Sequence, residues 1–276
     1  MTFVIAQISD LHISVEGEGP DERYQTAEHL ARAVEVLNRV EPRPDLVVAS
    51  GDLVDKATPE EYQRLRGLLA PLNVPLYLMV GNHDGRDNLR SEFSDHTYLP
   101  RDGFMHYTIE DKPLRIICLD SMKPGHISGT MCAERLAWLD EQLSAQPDRP
   151  TFVFMHHPPF TSGLAPMDKY GLDAGDQLAP IIRKHSQVVR IAGGHLHRPV
   201  TTGWAGTVVS VAPSTAHQIA LNPYVDAPIS IVMEPPAFLL HMWDEANGLA
   251  THTIYTSEYE TRDRVKFDGA GKASAL

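Results

Sequence analysis

The chain has 276 residues, 42% of them hydrophobic, and 24 Lys and Arg against 36 Asp and Glu give a net charge of −12. This length suits one globular domain over residues 1–276, and the acidic balance disfavours nucleic acid polymers and anionic membranes as partners. No apolar run approaches the roughly 20 residues that span a bilayer, and the first residues carry no basic export signal. We therefore expect a cytoplasmic protein with a small-molecule partner.

Six short and nearly continuous apolar runs occupy the first two thirds of the chain. They are FVIAQIS (3–9), DLVVAS (45–50), PLYLMV (75–80), LRIICLD (114–120), TFVFMHH (151–157) and VVRIAGG (188–194). Such runs are typical of strands covered on both faces. Apolar residues at helical spacing predict helices around 27–37, 62–69 and 136–143. The alternation predicts an α/β fold with mostly parallel pairing of the early strands.

The second predicted helix has a clear N-terminal signal. Thr58 can cap the helix, Pro59 suits its first position, and Glu61 stands three residues after the cap. These three residues predict a capping box at this helix start.

The helical spacing ends near residue 200. Strand-like runs follow at 206–211, 237–243 and 249–255, and we expect them to form a second sheet packed on the first. Between them, residues 213–236 carry five prolines and no clean period, which predicts a long surface excursion. We expect residues 213–240 to act as a lid over a site, and the small, polar residues 268–276 to form a flexible tail.

Polar side chains follow five of the predicted strands at the point where each strand ends. They are Asp10 and His12, then Asp52, then Asn82, His83 and Asp84, then His156 and His157, and finally His195 and His197. Each alone has an ordinary explanation as a turn or hydrogen-bonding residue. Independent turns, however, give no reason for His or Asp at the same end of five strands, which is where ligands bind in open α/β sheets. We interpret the set as a metal site.

The donor types restrict which ions this site can take. Oxygen and nitrogen donors without thiolate suit Fe, Mn, Zn or Co, and the candidate ligands are too many for one tetrahedral ion. Two divalent ions sharing a carboxylate would use them all, and two-metal sites commonly drive phosphoryl or acyl hydrolysis. The competing motifs GxSxG, GxxxxGK[ST] and HExxH are absent from the sequence.

The ordered series resembles the calcineurin-like metallophosphoesterase family, whose pattern is DxH, GD, GNH[DE], H and GHxH. Here it reads Asp10-x-His12, Gly51-Asp52, Gly81-Asn82-His83-Asp84, His156 and Gly194-His195-x-His197. The phrases PEEYQ, PLYLMVGNHD, FMHHPP and STAHQ further resemble class III cyclic-nucleotide phosphodiesterases and bacterial glycerophosphodiesterases. The resemblance implies a two-sheet β-sandwich flanked by helices, the αββα fold.

The resemblance also implies a role for each matching residue. It implies one metal on Asp10, His12 and His197, a second on Asn82, His156 and His195, and Asp52 between the two. His83 would act near the phosphate as proton donor or charge stabiliser, Asp84 would orient His83, and His217 in STAHQ would face the substrate. We interpret His157 as packing, because alternation along a strand points it away from His156.

The implied activity is that of a metal-dependent phosphoric diester hydrolase. Its substrates would be cyclic nucleotides such as cAMP, or glycerophosphodiesters, attacked at phosphorus by a metal-bound hydroxide. A phosphomonoesterase or protein phosphatase of the same family remains an alternative, whereas a nuclease fits the acidic chain poorly. Retention of His83 and all the ligands argues against a non-enzymatic scaffold. Relatives imply a homo-oligomer, a dimer or larger, formed through the region after the last motif.

A charge count favours diesters over monoesters. Asp10 and Asp52 contribute −2, two divalent ions +4 and one hydroxide −1, leaving about +1 on the family's two-metal arrangement. A diester carries one negative charge, whereas a monoester carries up to two near neutral pH. Arg86 and Arg198 lie just beyond the motifs and are the cations that could balance the second charge.

Overall fold

The structure, a computed structural model, describes residues 2–263, 265–267 and 273–275. Its strands are β1 (Phe3–Ile8), β2 (Leu46–Ala49), β3 (Leu76–Leu78), β4 (Tyr107–Ile109), β5 (Arg115–Leu119), β6 (Thr151–Met155), β7 (Val188–Gly193), β8 (Val200–Trp204), β9 (Thr207–Val211), β10 (Gln218–Ile219), β11 (Ile231–Val232), β12 (Ala237–Asp244), β13 (Gly248–Tyr255), β14 (Val265–Phe267) and β15 (Ala273–Ala275). Its helices are α1 (Gly19–Tyr24), α2 (Thr26–Arg39), α3 (Pro59–Leu69), α4 (Arg86–Glu92), α5 (Ala133–Ala145), α6 (Ala165–Asp168) and α7 (Gly175–Lys184). Every strand predicted from the sequence is present.

Two mixed sheets form the centre of the molecule. One has the order β13-β12-β1-β2-β3 and the other the order β4-β5-β6-β7-β9-β8. Strand β6 shows how they pack: Phe152 and Phe154 join the core shared with the first sheet, while Val153 and Met155 pack in the cluster that includes α5 and α7. The predicted two-sheet sandwich flanked by helices is therefore confirmed.

The expectation that the late strands form a sheet of their own was wrong. Strand β12 pairs antiparallel with β1, and β9 pairs parallel with β7, so each sheet contains strands from both parts of the chain. The early strands pair mostly in parallel, as predicted. A parallel sheet leaves unpaired backbone groups on its edge strands, and the late strands satisfy those of β1 and β7.

The predicted capping box at α3 is confirmed. Glu61 N donates to Thr58 Oγ1 at 3.3 Å, and Thr58 N donates to a Glu61 carboxylate oxygen at 3.3 Å. Helices α2 and α5 also occupy their predicted places. Helix α7 was not predicted, because Pro180 lies inside it and proline usually interrupts helical patterns.

Two predicted segments lie after the last motif. Residues 213–236 form a largely irregular excursion in which only the short strands β10 and β11 pair. Of the predicted tail, residues 268–272 and 276 lie outside the described residues, while β15 pairs antiparallel with β14. No helix among the residues described has the length and apolar character needed to cross a membrane.

The topology brings five strand ends together. Strands β1, β2 and β3 are parallel, as are β6 and β7 in the other sheet, so their carboxyl ends meet at one edge of the sandwich. The loops after these strands carry the predicted metal ligands.

Candidate metal centre

The seven predicted ligands lie together at this edge, and six of them are buried. Asn82 is the exception, being half-buried. The buried members are Asp10, His12, Asp52, His156, His195 and His197.

One group of donors surrounds the His12 ring. His12 Nε2 lies 3.0 Å from His197 Nε2, and His197 Nε2 lies 3.5 Å from Asp10 Oδ1. Together with Asp52, these residues offer donor atoms that all lie within 4.8 Å of one another. The group is compact enough to bind a single ion.

A second group contains Asn82, His156 and His195. Asn82 Oδ1 lies 3.0 Å from His195 Nδ1, and the rings of His156 and His195 are 5.4 Å apart. Asp52 Oδ2 lies 3.3 Å from His156 Nε2 and 3.7 Å from His12 Nε2. The Asp52 carboxylate therefore stands between the two groups.

Hydrogen bonds to backbone carbonyls orient three of the imidazoles. His156 Nδ1 donates to Ser50 O at 2.9 Å, His197 Nδ1 to His217 O at 3.0 Å, and His195 Nε2 to Tyr170 O at 3.0 Å. A carbonyl only accepts, so in a neutral ring the other nitrogen carries a lone pair. Burial lowers the pKa of His195 and of His197 to about 4, which keeps these rings neutral. Metal-binding histidines commonly have this arrangement.

The residues present fit divalent cations. Asp10 Oδ2 and His156 Nε2 are buried without a hydrogen-bond partner among the described residues, which is costly unless something else satisfies them. Burial acts to lower the pKa of His156, but the charges of Asp52 and Asp10 outweigh it and raise that pKa to about 9. The cluster thus attracts positive charge, and its oxygen and nitrogen donors suit divalent metal ions.

The backbone of the cluster is strained. A positive φ in the left-handed region occurs at five of the candidate ligands, namely Asp10 (54°), His12 (45°), Asp52 (49°), His195 (70°) and His197 (46°). This conformation costs a residue other than glycine about 1–2 kcal/mol. Strain of this kind concentrates at functional sites, where the surrounding structure holds it in place.

Close packing explains one motif glycine. A Cβ at Gly194 would lie 2.7 Å from Asp10 Oδ2, which real Cβ contacts do not tolerate. The glycine before His195 therefore lets the GHxH loop of one sheet approach the first-strand loop of the other.

His83 lies beside the first group, with its ring centroid 4.6 Å from that of His12. Its Nδ1 donates to Asp55 O at 2.8 Å, which leaves Nε2 free to exchange a proton with a bound molecule. Sequence analysis missed Asp55. The available signal was a second carboxylate three residues after Asp52, and its side chain also stands 3.9 Å from His12 Nδ1.

The structure does not support Asp84 as the residue that orients His83. The Asp84 carboxylate instead accepts hydrogen bonds from Gly81 N at 2.8 Å, Leu53 N at 3.2 Å and Tyr62 OH at 3.1 Å. Burial and the charge of Asp52 raise the pKa of Asp84 to about 6. A buried carboxylate needs such donors, and Asp84 therefore ties the GNHD turn to the loop that carries Asp52.

His217 is buried against the first group. Its ring stacks on Tyr24 at 4.5 Å and lies 4.7 Å from the ring of His197. Its carbonyl is the acceptor for His197 Nδ1. The structure thus brings His217 to the site through its backbone as well as its ring.

The ring of His157 lies closer to the site than strand alternation predicts. Its centroid is 4.7 Å from that of His195. Both ring nitrogens have partners, however, in Ser121 Oγ at 2.8 Å and Ile127 O at 3.0 Å. Those bonds support the interpretation of His157 as a packing residue.

Two adjacent open cavities border the site and share Asn82, Asp84 and Gly125 in their walls. We describe them as the two lobes of one cleft. One lobe of about 420 Å³ is lined by residues that include Asn82, Arg86, Asp87 and Arg90. The other, of about 370 Å³, includes Asn82, His83, Lys56 and His126 among its lining residues. A larger cavity of about 650 Å³ lies elsewhere, beside Arg198 and Glu234, but none of the candidate ligands lines it.

Comparisons with known proteins agree with this geometry. The family model for calcineurin-like phosphoesterases matches residues 3–199. A probable glycerophosphodiester phosphodiesterase from Arcobacter nitrofigilis is 39% identical, over 94% of this chain and 95% of that protein. A probable cyclic nucleotide phosphodiesterase from Synechococcus sp. is 35% identical, over 79% of this chain and 82% of that protein.

Among solved structures, a dimetal phosphatase from Danio rerio superposes with a TM-score of 0.63 at 16% identity. The superposition covers 92% of this chain and 99% of that one. At this identity the likeness supports the fold alone.

Proposed function

The chain belongs to the calcineurin-like phosphoesterase family, and we propose that it hydrolyses small phosphodiesters with the help of two divalent metal ions. The observation that carries the proposal is the buried cluster of imidazole and carboxylate donors with Asp52 between its two groups. The names of the relatives favour two substrate classes, which are glycerophosphodiesters and cyclic nucleotides such as cAMP.

We assign the ions to the two groups of donors. Asp10, His12 and His197 would hold the first, Asn82, His156 and His195 the second, and Asp52 would be shared. Fe, Mn, Zn or Co suits these donors. When bound, such ions act as Lewis acids on phosphate oxygens and make water a nucleophile near neutral pH.

The chain's own side chains complete the chemistry. His83 Nε2, held towards the cleft by the bond from Nδ1 to Asp55 O, donates a proton to the departing alcohol or stabilises its charge. Asp84 holds the turn beneath His83 through its bonds to Gly81 and Leu53. For His217 we propose contact with the substrate from the side of the excursion.

The ion pairs of Arg86 and Arg198 support a preference for diesters over monoesters. Arg86 donates to Asp120 at 2.6 Å and Arg198 to Glu234 at 2.7 Å, so both cations beyond the motifs are already paired. Neither arginine is therefore available to balance the second negative charge of a monoester. A phosphomonoesterase or protein phosphatase is the alternative, and retention of His83 and the donor set disfavours a scaffold.

For residues 213–240 we propose a lid that also serves as an interface in a homo-oligomer. The segment is anchored at the site, where Ser214 Oγ donates to Asp10 O at 2.7 Å and Arg198 donates to Ile219 O at 3.0 Å. Beyond these anchors it exposes large apolar side chains, namely Leu221, Tyr224, Val225, Ile229, Ile231 and Met233. Analytical ultracentrifugation of wild type and Tyr224→Ser tests the interface, because a monomeric wild type would contradict it.

One hydrolysis screen tests the proposed function. Chelated protein is reloaded separately with Mn, Fe, Co or Zn and assayed on cAMP, glycerophosphocholine, bis(4-nitrophenyl) phosphate and 4-nitrophenyl phosphate. We expect metal-dependent activity with the diesters ahead of the monoester. Activity that survives chelation, or a clear preference for the monoester, would contradict the proposal.

A further inference from the structure

A cluster of Arg86, Arg135 and the buried Asp120 borders the cleft. Asp120, which follows β5, is fully buried, while Arg86 begins α4 four residues after Asn82. Arg86 Nε donates to Asp120 Oδ2 at 2.6 Å and Arg86 Nη2 donates to Asp120 Oδ1 at 2.9 Å. This two-pronged, charge-assisted pair is among the strongest side-chain interactions in proteins.

The surroundings fix the Asp120 carboxylate in place. Met105 N and Met122 N each donate to it at 2.9 Å. Arg86 Nη2 also donates to Met122 O at 3.1 Å, and the guanidinium lies 5.3 Å from the ring centre of Phe104. The Arg86 guanidinium is thereby held on the wall of the cleft.

Arg86 nevertheless belongs to the proposed substrate cleft. It lines the same lobe as Asn82, and its side chain is 15% exposed, whereas that of Asp120 is 0% exposed. Arg198, the other cation beyond the motifs, lines a different cavity together with Glu234. Of these two arginines, Arg86 is the one that shares a cavity with a proposed ligand.

We propose that Asp120 determines the preference for diesters by keeping the Arg86 guanidinium away from the scissile phosphate. This inference rests on the proposed function. A guanidinium recognises a phosphate dianion through paired hydrogen bonds, so a free Arg86 would stabilise the second charge of a monoester. Because a diester lacks that charge, the effect falls on the ratio of specificity constants.

The cluster indicates which arginine would move when the Asp120 charge is removed. Arg135 Nη1 keeps two backbone acceptors, Asp120 O at 2.9 Å and Met122 O at 3.0 Å. Both guanidiniums lie against Phe104, with that of Arg135 at 4.5 Å, and they repel each other without the carboxylate. Because Arg135 is buried and Arg86 borders the cleft, we expect Arg86 to move into the cleft when the Asp120 charge is removed.

The test compares kcat/KM for bis(4-nitrophenyl) phosphate and 4-nitrophenyl phosphate on metal-loaded enzymes. Asp120→Asn keeps the shape of the side chain, and we expect it to shift the ratio towards the monoester by about tenfold or more. The double variant Asp120→Asn/Arg86→Gln should return the ratio to the wild-type value. Asp102→Asn is the matched control, because it removes one negative charge next to Gly103 of the same lobe and leaves the pairs of Arg86 and Arg90 in place.

Several results would overturn the inference. A folded Asp120→Asn with an unchanged ratio would do so. An equal shift in Asp102→Asn would also overturn it, because that result would reveal a general charge effect. Circular dichroism shows whether Asp120→Asn folds. If it does not fold, the ratio of specificity constants measured for Arg86→Gln tests the inference instead. An unchanged ratio in that variant supports the inference, and a selective loss of monoester activity contradicts it, because Arg86 would already contact the phosphate.

The proposed function fails by a different result. Wild-type enzyme without metal-dependent diester hydrolysis would refute the function itself, whatever the ratio in the Asp120 variant. Wild-type diester preference with an unshifted Asp120→Asn ratio would refute only the role of Asp120.

Discussion

The two halves of the candidate metal centre differ in charge. The first half has a carboxylate of its own, Asp10, beside two imidazoles, whereas the second has two imidazoles and the neutral amide of Asn82. Both halves also contact Asp52. Because a carboxylate attracts a divalent cation more strongly than an amide does, we expect the first half to bind its ion more tightly.

The halves also differ in exposure. Asp10 is fully buried, but Asn82 is half-buried and lines both lobes of the cleft. An ion held by the second half would therefore lie closer to the entering substrate. We therefore expect the ion of the first half to stay bound and the ion of the second half to exchange more readily.

The most severe disruption of both halves should come from Asp52→Asn. It removes the shared charge while keeping the side chain's shape, so we expect metal content to fall below two ions per chain. Activity should fall by at least about 10⁴-fold, since bound metals supply several kcal/mol of transition-state stabilisation. Elemental analysis of the purified protein measures the content.

Asp45→Asn is the matched control for this experiment. Asp45 lies at the opposite end of β2, where its carboxylate accepts from Val4 N at 2.7 Å. A full complement of two ions in Asp52→Asn would show that neither half depends on the shared carboxylate.

His83→Ala should lower kcat by roughly 10² to 10⁴, the usual range for a positioned acid or base. Because His83 belongs to neither half, metal content should not change. His126→Ala is the control, since His126 is an exposed residue of the same lobe. Loss of an ion from His83→Ala would instead show that His83 is a metal ligand, and His83 would then have to be assigned to the first half.

Asn82→Ala and Asp10→Asn separate the halves directly. In a titration of chelated protein, Asn82→Ala should raise the concentration needed for the weaker ion by at least about tenfold while the tighter step remains. Asp10→Asn should weaken the tighter step instead. Isothermal titration calorimetry distinguishes the steps, with Asn88→Ala as the control amide. Equal weakening of both steps in both variants would refute the assignment of ligands to halves.

Tyr62→Phe should have the smallest effect. It removes the hydroxyl that donates to Asp84 at 3.1 Å and accepts from Gly85 N at 2.9 Å. We expect a loss of about 1–3 kcal/mol in the free energy of unfolding with little change in kcat. Urea denaturation measures the loss, with the exposed Tyr255→Phe as control. An unchanged midpoint in Tyr62→Phe would show that the Asp84 network does not stabilise the turn.

Local patterns predicted the strands and the residues that follow them. Buried parallel strands have near-continuous apolar sequences, and their carboxyl ends converge, so Asp10, Asp52 and His195 could be brought together from the sequence alone. Which strands pair could not be predicted, because β12 and β1 meet across more than two hundred residues and no local signal records that choice.

The directions in which side chains point could not be predicted from the sequence either. The place of Asp84 in the motif suggested a partner for His83, but the turn directs its carboxylate to the amides of Gly81 and Leu53. The backbone carbonyl of Asp55 orients His83 instead. Because every residue has a backbone carbonyl, residue types give no indication of this contact. Contacts made by the main chain are thus the ones that residue types alone cannot reveal.

The left-handed backbone at Asp10, His12, Asp52, His195 and His197 limits how this centre can be re-engineered. Outside glycine, Asn, Asp and His are the residues that enter this conformation most readily, whereas β-branched side chains are severe outliers there. A mutant library at these five positions would therefore keep its fold mainly with oxygen and imidazole donors. The main-chain conformation, in addition to the ion, restricts the coordination chemistry that directed evolution can reach from this sequence.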